Sequence, residues 1–227
     1  MDDIKKNFFL IIKHNFIALQ AISENYEILI NEEIFFNNSN FESEENSIKK
    51  FLNEHIFKIE KKFNLYIEEI YLIIEHKKFL TVDVSLIKDF KYLSNKFDNI
   101  SSDLSNIKEN ILKTNIDYEL VHMMIKKFII DNKDYSMLPD LKKQKSLFLE
   151  INLICFEKKA VVDYKKILSE YQISIKKIFN YEYVNSFKID GADKISVLAN
   201  KLINGLNKNE INLTEKFTKN IGFFEKF

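Results

Sequence analysis

The side chains able to do chemistry are few and scattered. The four histidines, His14, His55, His76 and His122, stand apart, and none has a second His or Cys at metal-ligand spacing, so no metal is assigned. His55 falls on an apolar helical stripe and His122 inside an apolar run, positions that suit a hydrogen-bonded structural imidazole better than a ligand. The single cysteine, Cys155, sits between Ile154 and Phe156; a reactive thiolate needs an electropositive neighbourhood, and an apolar one leaves the thiol inert. The pairs Glu32-Glu33 and Glu68-Glu69 offer carboxylates for acid and base work, yet adjacent strand residues point to opposite faces and cannot share a substrate. With only Gly191, Gly205 and Gly222 available, no Walker loop and no dinucleotide fingerprint can be written, so no cofactor is expected. The residues describe a binding protein, not an enzyme.

The elements that must carry such a role are well supplied with core. Of 227 residues, 46% are hydrophobic, too many for a disordered chain and enough for one large domain or two small ones. The 34 basic side chains balance the 34 acidic ones, which removes the long-range positive field that capture of nucleic acid requires. A lone cysteine fits a reducing compartment, and the longest early apolar run, residues 8–12, is too short for a signal-peptide core or a spanning helix. The expected location is the cytoplasm.

Three β-prone runs at residues 8–12, 16–19 and 26–30 read as a meander. Ile48, Phe51, Leu52, His55, Ile56, Ile59 and Phe63 then recur at helical spacing, with Ser43 as N-cap, and a strand follows over 67–74. Beyond lie a short strand at 79–84, a helix at 102–112 and a long strand at 118–130. A loop with Pro139 leads to a strand carrying Leu147, Leu149, Ile151, Leu153 and Cys155. A helix with Val161, Tyr164, Leu168 and Tyr171 on its buried stripe and a strand at 173–179 complete this α+β region. A helix at 194–206 precedes a separate segment, 214–227. On a helix, Phe217, Ile221 and Phe224 of that segment align, Phe223 and Phe227 widen the stripe, and Lys219 and Lys226 lie opposite. Such a helix lies in a membrane interface or docks on its own core, and both readings stand.

Several strings resemble FtsA, the actin-like division protein that tethers a ring to the inner membrane. Ile70-Tyr71-Leu72-Ile73-Ile74 is similar to the strand that leads into that family's inserted subdomain, called 1C or SHS2. Ile100-Ser101-Ser102-Asp103-Leu104 resembles the insert's helix opening, Val121-His122 with Phe128-Ile129-Ile130-Asp131 its following strand, and Leu149-Glu150-Ile151-Asn152-Leu153-Ile154 its last. Where actin-like ATPases open with Asp-x-Gly-Thr, this chain reads Ile11-Ile12-Lys13-His14, and no second lobe is expected.

The resemblance implies an α/β fold: half of an actin-like, RNase H-like lobe over residues 1–77, an SHS2-like α+β insert over 78–184 and a helical tail over 185–227. It implies a non-catalytic scaffold for division-ring proteins at the inner membrane, or a PilM-type adaptor of a pilus or secretion machine; an ATPase with an atypical site is the enzyme alternative. Self-association is a further expectation. Partner contact is expected at Ser102, Asp103, Asn106, Glu109 and Asn110 on the insert's helix, and membrane contact at residues 214–227.

Overall fold

A computed structural model describes residues 6–35, 44–90, 96–139, 145–189 and 193–211. In chain order the elements are β1 (Lys6–Lys13), β2 (Phe16–Ser23), β3 (Ile28–Phe35), α1 (Glu44–Phe63), β4 (Glu69–Ile74) and β5 (Phe79–Asp89). There follow α2 (Lys96–Thr114), β6 (Tyr118–Ile130), β7 (Lys133–Tyr135), β8 (Ser146–Glu157), α3 (Lys158–Ser169), β9 (Ser174–Asn180), α4 (Tyr181–Asn185) and α5 (Ile195–Ile203). The described residues form two units, one within Met1–Phe79 and Phe156–Asn207, the other within Leu80–Cys155 together with residues 208–211.

The first unit holds a five-stranded sheet in the order β3-β2-β1-β4-β9. The strands β1, β2 and β3 are an antiparallel meander, and β4 and β9 run parallel to β1. Central strands of a sheet covered on both faces must be apolar throughout, and β1 accordingly buries Phe8, Phe9, Leu10, Ile11 and Ile12 in succession. Phe8 meets Phe63 of α1 edge to face at 6.2 Å, whereas Asn7, one residue along and so on the opposite face, donates to Asn200 of α5 at 2.8 Å. The stripe expected on α1 is the buried one, with Ile48, Phe51, Leu52, Ile56 and Ile59 inward. Each such side chain contributes about 1.5–3 kcal/mol on burial. Ser43 lies outside the described residues.

The second unit is a four-stranded sheet, β5-β8-β6-β7, whose core joins Leu147, Leu149, Ile151 and Leu153 of β8 to Met123, Ile125, Phe128 and Ile130 of β6 and to Ile100 and Leu104 of α2. The spacing on β6 changes parity between Ile125 and Phe128, so the Lys126-Lys127 pair is where the strand must shift to keep its apolar face inward.

The structure differs from the sequence reading in several places. The helix and strand that follow β8 were expected within the insert, but β9 pairs along β4 from Glu69↔Ser174 to Ile74↔Asn180, which makes α3 the crossover of the first sheet. Apolar periodicity marks a strand without saying which sheet it joins. The strand beginning at Phe79 runs on to Asp89, α2 begins earlier than residue 102 at Lys96, and α5 stops at Ile203. Tyr171 lies past the end of α3, where its hydroxyl donates to the Lys49 carbonyl at 3.0 Å and holds α1. The strand β7 was read as loop; Asp131 (φ 48°) and Asn132 (φ 66°) form a two-residue turn with left-handed backbone at both positions, the type I′ geometry that closes a hairpin.

Candidate partner-binding surfaces

In open sheets with parallel strands, ligands sit beyond the carboxyl ends of those strands. Here the ends of β1, β4 and β9 present Lys13, Glu75 and Tyr181. Lys13 Nζ lies 3.5 Å from Glu75 Oε2 and 4.3 Å from the centre of the Tyr181 ring, and the Glu75 amide donates to the Ile12 carbonyl at 2.9 Å. Burial works against the Lys13 charge, but Tyr181 and the Glu75 carboxylate outweigh it and hold the ammonium above its ordinary pKa. The turn that joins β1 to β2 is His14-Asn15 alone, without glycine. A carboxylate, a committed lysine and a ring stand at the position where a phosphate cradle would be built.

Beside this cluster is a cleft of about 250 Å³ between the start of β2 and the α4–α5 region, lined among others by Phe16, Gln20, Glu33, Lys188, Asp193 and Lys194. It is smaller than the ~300–1,000 Å³ of ordinary small-molecule sites. Its floor is a polar network: Gln20, 3% exposed, donates to Asn31 and accepts from Ser196, which is itself fully buried, and Asn31 donates to Glu33 at 3.0 Å. Buried polar groups in such number are tolerated because each finds a partner.

The histidines take structural positions. His122 is buried in β6 with Nδ1 2.9 Å from Glu210 Oε1, His55 lies 3.1 Å from Glu32, and His76 accepts from the Lys78 amide at 3.0 Å. Cys155 is fully buried, and desolvation pushes its thiol pKa up to about 11. No cluster of three metal-ligating side chains occurs among the described residues. The carboxylates Glu32 and Glu69 are turned to His55 and to Lys176, the latter at 2.8 Å.

On α2, Ser102, Asn106, Glu109 and Asn110 are exposed together on the outer side, as their spacing requires. Asp103 is a different case: it forms a 2.6 Å ion pair with Lys88 of β5 and so fastens the helix to its sheet instead of facing outward. Glu109 pairs with Lys113 one turn on at 3.5 Å. The residues proposed for membrane contact, Phe217, Lys219, Ile221, Phe223, Phe224, Lys226 and Phe227, lie outside the described residues. No helix among those described is long and apolar enough to cross a membrane.

One feature had no reading in the sequence. Glu210 forms an antiparallel bridge with Met124, the Ile125 amide donates to the Asn209 carbonyl at 3.0 Å, and the Ile211 amide donates to the Met123 carbonyl at 2.7 Å. Residues 209–211 thus extend β6 on its free edge, with Ile211 in the core of the second unit and Glu210 on His122. The alternation Asn209-Glu210-Ile211 is the only local signal for it, and a three-residue strand is too short for alternation to be read.

No known protein-family profile matches the chain, and no curated protein matches it. Among solved structures, one described as the PilM-PilN type IV pilus biogenesis complex is similar over 80% of this chain and 49% of that chain, with a TM-score of 0.50 and 9% identity. The cytoplasmic domain of EpsL, an inner membrane component of the type II secretion system of Vibrio cholerae, is similar over 82% and 59% at a TM-score of 0.37 and 8% identity. A Bacteroides thetaiotaomicron protein of actin-like ATPase fold and unknown function is similar over 82% and 58% at 0.37 and 10%. The chain therefore spans about half the length of the first of these structures. Its fold is α/β and corresponds to part of an actin-like lobe.

Proposed function

We propose that this chain is a non-catalytic adaptor, an actin-like half-lobe that carries an inserted α+β module for docking other proteins of an envelope-spanning machine. The observation that carries the reading is the combination, on one actin-like sheet, of a ligand end filled by Lys13, Glu75 and Tyr181 with an intact inserted sheet whose helix α2 leaves Ser102, Asn106 and Asn110 exposed. A lobe without a phosphate cradle retains its frame, and a frame is what a docking module needs.

Of the two settings that the resemblance implies, the pilus or secretion machine is favoured over the division ring, because the similar structure at TM-score 0.50 is PilM in complex with PilN. The partners would be cytoplasmic segments of assembly proteins, at the inner-membrane face. Affinity capture with the whole chain, compared with a Ser102→Arg, Asn106→Arg, Asn110→Arg variant, tests this reading. Recovery of envelope-assembly proteins by the parent and their loss with the variant is expected. Titration with ATP and magnesium tests the enzyme alternative. A ligand that binds the native state raises the thermal midpoint, so an unchanged midpoint would dispose of the ATPase alternative.

A further inference from the structure

The helical layer formed by α1 and α3 carries a surface that the adaptor reading does not use. The two helices run side by side in the same direction: Tyr164 of α3 donates to Glu44 at the start of α1, Glu170 pairs with Lys49 at 2.7 Å, and Tyr171 reaches Asn53 at 3.0 Å. The second half of α3 therefore lies beside the first half of α1, and α1 continues the layer beyond the end of its neighbour.

On the side of α1 opposite its buried stripe, Lys50, Glu54, Phe57 and Lys61 follow one another at helical steps, all exposed. The matching row on α3 is Lys159, Val162 and Lys166, also exposed. Phe57 is 72% exposed and Val162 60%, and Tyr66, just past α1, is 84% exposed. Phe57 thus stands in the middle of the solvent row of α1.

The charge of this layer is not that of the chain. The two helices hold nine lysines against five carboxylates, while the whole sequence is neutral. Glu44 and Glu45 are exposed at the start of α1, where Glu44 accepts from Tyr164 and Glu45 pairs with Lys49, and Glu60 accepts from the Ile67 amide at 2.9 Å. With all five carboxylates counted the layer still has more lysines than acids, and its outer rows are lysine-rich and set with single large apolar side chains. Lysines at such a face meet anionic headgroups while the apolar side chains enter the headgroup boundary.

We propose that the outer face of the α1–α3 layer docks the protein on an anionic bilayer surface, with Lys50, Lys61, Lys159 and Lys166 as the electrostatic contacts and Phe57 as the inserted side chain. This docking is independent of the adaptor reading and of residues 214–227. The test is sedimentation of the whole chain with vesicles of phosphatidylcholine alone and of equimolar phosphatidylcholine and phosphatidylglycerol. The parent should pellet with the anionic vesicles only and be released when salt shortens the Debye length to about 3 Å.

Each lysine near such a surface is worth about five-fold in partitioning, so Lys50→Gln with Lys61→Gln, and separately Lys159→Gln with Lys166→Gln, should each lower it by about 25-fold. Phe57→Ser should weaken it without changing the salt dependence. All the substituted positions are exposed, and an unchanged thermal midpoint shows that each variant is folded. Failure of the parent to pellet, or pelleting of both lysine variants as well as the parent, overturns the proposal. So does capture by polyglutamate without capture by vesicles. A Phe217→Glu, Phe224→Glu variant that alone abolishes pelleting, with the lysine variants unaffected, assigns the contact to the tail and likewise overturns it.

Discussion

Residues 209–211 should be indispensable to the second unit although they stand far from it in sequence, and Ile211→Ala measures this directly. Ile211 is 7% exposed and packs in the cluster built from β6, β8 and α2, so truncation to alanine removes three buried carbons. At about 0.8 kcal/mol for each buried methylene the transfer loss is about 2.4 kcal/mol. The cavity left behind raises the total to about 2.5–4 kcal/mol, within the range for buried Ile→Ala changes. The segment is also held by the backbone bonds to Met123 and Ile125, the contact of Glu210 with His122, and the Asn209 side-chain bond to the Ser136 carbonyl at 3.0 Å, so the truncation reports on the packing of Ile211 itself. Urea unfolding followed by far-ultraviolet circular dichroism gives the change in free energy. Amide exchange resolved to Met123 and Ile125 shows whether the β6 edge has opened. Ile189→Ala, at a position 79% exposed, serves as the control and should lie within about 0.5 kcal/mol of the parent. A loss below about 0.5 kcal/mol for Ile211→Ala would show that the extra strand adds nothing, and the continuity of the second unit with the chain beyond Lys208 would have to be abandoned.

Other consequences follow from single groups. The Cys155 thiol, raised to about 11 by burial, keeps its proton in the folded state at pH values where the unfolded thiol has already lost it. Stability should therefore fall between the ordinary thiol value of 9.0 and about 11, and Cys155→Ala should remove that part of the slope in urea titrations. At neutral pH the same thiol should resist thiol reagents until the chain unfolds. Asp131 accepts from the Ser146 and Lys145 amides at 2.8 and 3.0 Å, the Ser146 bond being the larger cause of its lowered pKa. Its contribution is present above the unfolded carboxylate pKa and is lost as the pH falls through the folded value, so Asp131→Asn should flatten the acid limb, and carbon-detected titration should place the folded carboxyl below the usual range. Tyr164→Phe removes the hydroxyl that joins α3 to Glu44 of α1 and should cost about 1 kcal/mol in thermal or urea unfolding, with the fold unchanged.

Much of the first sheet was legible because its signals are local. The apolar runs of β1 and β2 have strand length, the stripe from Ile48 to Ile59 has helical period, and a strand after such a helix implies a crossover. The inertness of Cys155 and the structural placement of His122 could be read from apolar neighbours. Asp103 shows where that reading stops. Its spacing puts it near Ser102 and Asn106, and only the approach of Lys88 from β5 turns it from a surface residue into a fastening.

The sequence by itself determined most of the longer strands and helices, which of their faces are apolar, and that no glycine-rich phosphate motif can be written, since each of these depends on neighbours a few positions apart. Only the tertiary structure decided that β9 belongs beside β4, that Lys13, Glu75 and Tyr181 meet at one end of the sheet, that Glu210 returns to His122, and that the lysine rows of α1 and α3 share a layer. These are pairings across long stretches of chain. Their partners are selected by which apolar faces can be buried together, and that selection leaves no mark in the spacing of any single segment.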